Sequence, residues 1–278
     1  MRIAIIGLGS IGTRHASNLA GLNEHDLIGY DANEPFSPIA YKQLPIIKTC
    51  RSIEAVWDSK PDAALICTPP STHHDLVTQA LDHGCHVFCE KPLATSALLA
   101  NDLVWRNDDK RVLVVGYQLR WQLKEAAEGC GQHLTFLCAQ DMGQWPSQYK
   151  KDVLEEFSHE IDAAVFMNGP VESAVGFLSS TGAWRLELRH LIRTSTITIV
   201  PNSAVKARHA LSNGGEMLWV FNEEKNNQAY KDEISAFLTA CRTNAWTDYL
   251  CSGVEAAHVC RIIEACRESA RECRVVRL

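Results

Sequence analysis

The first fifteen residues, Met1–His15, read MRIAIIGLGSIGTRH. An apolar run, a glycine loop and a helix follow one another there, and that order decides the fold. Arg2–Ile6 suits a buried strand. Gly7, Gly9 and Gly12 then give G-x-G-x-x-G, and Ser10–Ala20 reads as a helix. Between a strand and a helix, this spacing marks a dinucleotide-binding turn. The first glycine permits the tight turn, the second lets backbone approach a pyrophosphate, and the third allows close helix–strand packing. Ser10 and Ile11 open the helix, whose free amide hydrogens and dipole would face the phosphates. Asp31 ends the run LIGYD, nineteen residues after Gly12. A carboxylate at that place accepts hydrogen bonds from the adenosine ribose and repels a 2′-phosphate, favouring NAD over NADP. Asp31-Ala32-Asn33 is also good turn material, so a turn-starting role competes with the ribose role.

Outward from the loop, short apolar runs alternate with helix-like segments. Leu27–Tyr30, Ala63–Cys67, His86–Cys89 and Val112–Val115 read as strands; His73–His83 and Thr95–Arg106 read as helices. That alternation predicts right-handed βαβ units around a parallel, doubly wound Rossmann sheet. After Gly116 the pattern changes. Arg120–Glu128 and Val153–Met167 read as helices, and Leu134–Ala139, Val171–Leu178, Trp184–Ile192, Thr194–Val200 and Met217–Phe221 as strands. In Trp184–Ile192, Leu186, Leu188, His190 and Ile192 alternate with Arg185, Glu187 and Arg189, which predicts a sheet with one covered face. Asn213-Gly214-Gly215 is a turn signal between two strands. Ala256, Val259, Ile263, Cys266, Ala270 and Cys273 line one face of a terminal helix. The expected fold is therefore α/β: residues 1–117 as a Rossmann domain and 118–278 as a substrate-binding α/β domain, its C-terminal helix packing back on the first.

Bulk properties narrow the classes. Of 278 residues 46% are hydrophobic, enough for a large core, and 27 basic against 33 acidic residues give a net charge of −6. Nucleic-acid proteins normally carry a basic face, so no nucleic-acid partner is expected. No run approaches the ~20 apolar residues of a membrane span, and the glycine-broken start does not resemble a signal peptide. A cytoplasmic protein is expected. The 11 cysteines include no Cys-x-x-Cys pair and read as small buried hydrophobes in a reducing compartment. No metal site is expected, since neither His-x-x-x-His nor a cysteine cluster occurs.

Two further stretches are more specific: CTPPSTHHD at Cys67–Asp75 and CEKPLA at Cys89–Ala94. With the glycine loop, they make residues 1–117 resemble the glucose–fructose oxidoreductase, inositol dehydrogenase and MocA family. The resemblance continues more thinly through SHEID at Ser158–Asp162 and beyond about residue 200 rests on layout. It implies a second domain with an open, mainly antiparallel sheet. It implies that Thr68, Pro69, Pro70 and His73 border the cofactor, that Glu90, Lys91 and Pro92 match the family's Glu-Lys-Pro with a cis Lys–Pro peptide, and that Lys91 reaches the nicotinamide–substrate junction. His159 matches the histidine of the family's Asp-x-x-x-His, with Glu155 where the family has aspartate. SHEID is worded like members acting on nucleotide-linked or surface-polysaccharide sugars.

These residues suit oxidation of a secondary alcohol. Histidine needs no perturbation to serve as a base near neutral pH, and a nearby ammonium stabilises a developing alkoxide. His159 is thus the candidate acid/base and Lys91 its electrostatic partner. The roles can be exchanged, because a desolvated lysine can act as the base. Glu155, His159 and Asp162 are spaced to share one helix face. Gln118 follows the last parallel strand at the cofactor cleft. Arg120 offers bidentate binding of a substrate carboxylate or phosphate, or a plain surface role. Tyr149 offers a ring for a sugar to stack on. His15, His83, His86 and His190 take structural readings. The expected function is hydride transfer between NAD(H) and a sugar, cyclitol or nucleotide-sugar-like substrate, with reduction of another carbonyl or imine, or non-catalytic NAD(H) sensing, as alternatives. The open sheet predicts a homodimer or homotetramer.

Overall fold

A computed structural model describes residues 1–22, 26–33, 47–107, 111–124, 133–140, 153–201, 208–213, 216–220 and 223–278. Strand β1 (Arg2–Ile6), helix α1 (Ser10–Ala20), strands β2 (Asp26–Tyr30) and β3 (Lys48–Thr49) and helix α2 (Ile53–Asp58) come first. Strand β4 (Ala63–Ile66), helix α3 (His73–Asp82), strand β5 (His86–Glu90), helix α4 (Ala97–Asn107) and strand β6 (Leu113–Gly116) follow. The six strands pair in parallel in the order β6-β5-β4-β1-β2-β3. Every residue of β4 and β6 is buried, as a sheet covered by helices on both faces requires. This is the doubly wound sheet expected from the alternation of strand and helix.

Next come α5 (Leu119–Gln122), β7 (His133–Gln140), α6 (Val153–Glu156) and α7 (Ser158–Asn168). Strands β8 (Val171–Leu178), β9 (Trp184–His190), β10 (Thr194–Pro201), β11 (Arg208–Asn213) and β12 (Glu216–Val220) follow. The chain closes with α8 (Glu223–Thr243), β13 (Cys251–Ser252), α9 (Gly253–Glu272) and β14 (Val276–Arg277). The second sheet runs β12-β11-β7-β10-β9-β8-β14. Its described pairs are antiparallel apart from β7–β10, in keeping with the mainly antiparallel sheet expected. Along β9 the alternation holds: Leu186, Leu188 and His190 are buried, and Arg185 and Arg189 are exposed.

The chain divides into two compact units. One is Met1–Tyr117 with Asn227–Ala257; the other is Gln118–Asn226 with His258–Leu278. The second block therefore does not run unbroken from 118 to 278, as the sequence reading has it. Residues 227–257 return to the first unit because α8 turns Tyr230, Ile234, Phe237 and Leu238 inward at helical spacing, and because β13 pairs antiparallel with β6. No element is assigned to α8 from the sequence.

Two other expectations are corrected. The helix foreseen over Val153–Met167 is two helices, broken where Phe157 leaves helical geometry (φ −95°, ψ 23°) to bury its ring. Glu155 therefore does not share a helix face with His159 and Asp162. Ile192 does not continue the buried face of β9: the strand ends at His190, and Leu191 and Ile192 stand exposed in the turn.

Candidate functional site

The glycine loop shows why Gly7 and Gly12 are needed. Gly7 has φ +91°, and a Cβ there would lie 2.8 Å from the Cys67 carbonyl. A Cβ on Gly12 would sit 1.8 Å from the Gly7 oxygen, so α1 can begin against the loop only without a side chain. Around Gly9, by contrast, a Cβ meets nothing within 4 Å among the described residues: they leave this face open. Gly9 and Ser10 are exposed and Ile11 half-buried, and no side chain caps α1. Its first amides are thus presented as a pyrophosphate needs them. Asp31 receives the Leu8 N–H on Oδ2 at 2.7 Å and the Asn33 N–H on Oδ1 at 2.9 Å. It ties the loop and starts a turn at once. Each oxygen keeps acceptor capacity for a ribose hydroxyl.

The Thr68 and Lys91 loops leave the adjacent strands β4 and β5, and His73 clasps them together. Its Nδ1 lies 2.7 Å from the Pro92 carbonyl and its Nε2 2.8 Å from the Thr68 carbonyl. Both partners are acceptors. Burial pushes the ring below the ordinary histidine range, against the pull of those carbonyls and of Glu90. The neutral ring donates to one carbonyl at a time. Pro69 is exposed, while Thr68 and Pro70 are half-buried. The Thr72 hydroxyl lies 2.7 Å from that of Thr68. Cys67, beneath the glycines, is buried, and burial and then the Glu90 charge push its thiol well above the usual range. The Lys91–Pro92 peptide is cis.

Behind Lys91 lies a group not foreseen from the sequence. Glu90 is 8% exposed, and its Oε1 is 2.7 Å from Nε2 of His15, which is fully buried in α1. The imidazole stands edge-on to Phe88 of β5 and Tyr230 of α8, at centroid distances of 5.2 and 5.6 Å. Gly116, in register with Glu90 on β6, makes room: a Cβ there would be 3.0 Å from the Phe88 ring and 3.3 Å from Glu90 Oε1. Nothing local in the sequence marks His15, because its partner is 75 residues away.

In the second unit, His159 is half-buried in the first turn of α7. Arg120 is fully buried and holds Asp162 through Nε at 2.8 Å and Nη2 at 2.6 Å, with the Phe166 ring 5.1 Å from its guanidinium carbon. Glu155 accepts from Arg267 at 3.2 Å. Gln118 precedes α5 with its Oε1 buried and lacking a hydrogen-bond partner among the described residues. Tyr149 lies outside the described residues. Among those residues no helix is long and apolar enough to cross a membrane.

Comparison with known proteins agrees with the loop. Residues 1–117 match the family described as oxidoreductases with an NAD-binding Rossmann fold. A myo-inositol 2-dehydrogenase of Thermotoga maritima is 30% identical over 184 residues, 61% of this chain and 55% of the relative. An inositol 2-dehydrogenase of Rhodococcus jostii is 28% identical over 182 residues, 60% of this chain and 50% of the relative. The chain thus spans about half the length of these curated relatives. In fold, the crystal structure of a probable dehydrogenase from Thermotoga maritima superposes with a TM-score of 0.85 at 21% identity, covering 100% of this chain and 98% of the other. Residues 1–117, with their glycine loop and Glu-Lys-Pro segment, are similar to the NAD-binding Rossmann domain of the Gfo/Idh/MocA oxidoreductases.

Proposed function

We propose that this chain is an NAD(H)-dependent oxidoreductase acting on a secondary alcohol, or the matching carbonyl, of a sugar, cyclitol or nucleotide-sugar-like molecule. The observation that carries the reading is the glycine loop: steric reasons for Gly7 and Gly12, open space over Gly9 among the described residues, and a carboxylate at Asp31. Gly7, Gly9, Ser10, Ile11 and Gly12 would hold the pyrophosphate and Asp31 the ribose. Thr68, Pro69, Pro70, His73, Glu90 and Gln118 would border the rest. NAD, when bound, supplies the hydride acceptor. Lys91 and His159 would hold and move the hydroxyl proton, one as base and the other as electrostatic partner. The relatives' inositol activities support a polyol as the first substrate to try.

Fluorescence titration with NADH and NADPH, on wild type and Asp31→Ala, tests the cofactor reading. Tighter NADH binding that relaxes toward NADPH in the variant is expected. Failure to bind either removes the foundation. Turnover of NAD with myo-inositol and a sugar panel, on wild type and Lys91→Ala, tests the chemistry. The variant is expected to lose on the order of 10²–10⁴-fold in turnover, far more than it loses in NADH binding; near-normal turnover sinks the assignment. A second reading, reduction of another carbonyl or imine, draws support from the Glu155–Arg267 pair, which occupies the acid that stands where the family has aspartate. For assembly we propose a homodimer or homotetramer through the outer face of the second sheet, where Leu137 and Phe177 are 48% and 52% exposed.

A further inference from the structure

Lys91 sits at the end of β5, and the residues on either side of it are both anchored by histidines. In front, Pro92 is held through its carbonyl by His73. Behind, Glu90 is held through its carboxylate by His15. The second anchor is the more unusual, because a carboxylate buried at the end of a parallel strand needs a compensating donor. The glycine on β6 leaves the space, Phe88 and Tyr230 fix the ring plane, and α1 supplies the donor from the helix that the glycine loop opens.

The tautomer follows from the other ring nitrogen. His15 Nδ1 is buried with no hydrogen-bond partner among the described residues. A proton there would be an unpaired buried donor, whereas a bare nitrogen is only an unpaired acceptor, the less rare of the two. The proton therefore sits on Nε2 and points at Glu90 Oε1, and Glu90 is the carboxylate. We propose that His15 is a positioning residue: by donating Nε2–H to Glu90, it fixes the end of β5 and with it the Lys91 ammonium. The proposal rests on the reading of Lys91 as a group of the reaction and adds the element that holds it.

The test uses two conservative variants that place an amide differently. In His15→Gln the side-chain nitrogen reaches the position of Nε2 and can donate to Glu90. In His15→Asn it reaches only the position of Nδ1, and Glu90 loses its donor. The first readout is the rate of Lys91 acetylation by acetic anhydride, followed by peptide mass spectrometry, with exposed Lys60 as internal control. His15→Asn is expected to change the Lys91 rate by about threefold or more, what ~0.7 kcal/mol does to a rate, and His15→Gln to restore it. The Lys60 rate stays level. The second readout is turnover with NAD and myo-inositol beside NADH affinity. In His15→Asn, kcat is expected to fall on the order of 10²-fold, the cost of about 1 Å of misplacement, with the NADH Kd unchanged and kcat rescued in His15→Gln. Equal labelling of Lys91 in both variants and wild type overturns the proposal, as does equal impairment of both, which marks a packing role. The labelling needs no turnover. A wild type inactive on every alcohol therefore strikes the proposed function, while the Lys91 rates still decide the role of His15.

Discussion

Arg120 with Asp162 in the second unit and His15 with Glu90 in the first are both buried acid–base pairs, and they are built differently. The arginine pair is a fork: two parallel N–H···O bonds, both side chains fully buried, an aromatic ring beside the guanidinium. Here two full charges face each other. Among the described residues the histidine pair has one hydrogen bond, a ring nitrogen without a partner and a carboxylate next to Lys91. Here a neutral donor leaves one net charge at a strand end. The first arrangement secures packing and register. The second spends a buried charge where chemistry is proposed, which stability alone does not require.

Breaking each pair should expose the contrast. The largest effect is expected from Asp162→Ala, which takes the carboxylate away from the buried Arg120: about 3–5 kcal/mol of stability lost, read from guanidinium denaturation. A joint change to Arg120→Met and Asp162→Leu should recover most of it. A loss below ~1 kcal/mol for the single variant would show that water or another group satisfies Arg120. Gly116→Ala presses on the other pair, since the new methyl meets the Phe88 ring and Glu90. Strain of about 1–3 kcal/mol is expected, with Lys91 labelling altered; an unchanged midpoint and labelling rate would mean that Glu90 has room to move. The smallest effect concerns pH. Burial holds His73, His86, His190 and His258 below their ordinary values, with His190 adding to the shift of His258. Below pH 6.5 the unfolded chain takes up protons that these folded groups refuse. Their stabilisation is therefore present above 6.5 and lost as pH falls, at no more than about 1.4 kcal/mol per group per pH unit. Denaturation midpoints at pH 7.5 and 5.5 check the sign, and a higher midpoint at 5.5 would refute it.

The two regions also differ in how far they can be read from sequence. The first unit is legible because its constraints are local. Gly7 and Gly12 are forced by atoms of neighbouring residues, and the strand runs are apolar throughout because both faces are covered. His15 is illegible for the opposite reason, as its meaning lies in a residue 75 positions on. Arg120 reads equally as an anion binder or a surface group until Asp162, 42 residues away, is brought against it. The break at Phe157 escapes because residues on both sides keep helical spacing, and only the burial of that ring demands the turn. Helix α8 carries its apolar positions within a strongly polar segment, which dilutes the periodic signal over its 21 residues.

The return of residues 227–257 to the first unit also bears on synthesis. The ribosome delivers β1 to β6 early, yet Tyr230 and Phe237, which pack on His15 and Phe88, come only after Gln118–Asn226 has been made. At bacterial or eukaryotic elongation speeds that is a delay of roughly 5–20 s. For that interval the nascent sheet exposes an oily seat beside the very pair that is to hold Lys91. Finishing this unit is therefore a post-emergence event, timed by the translation of its neighbour.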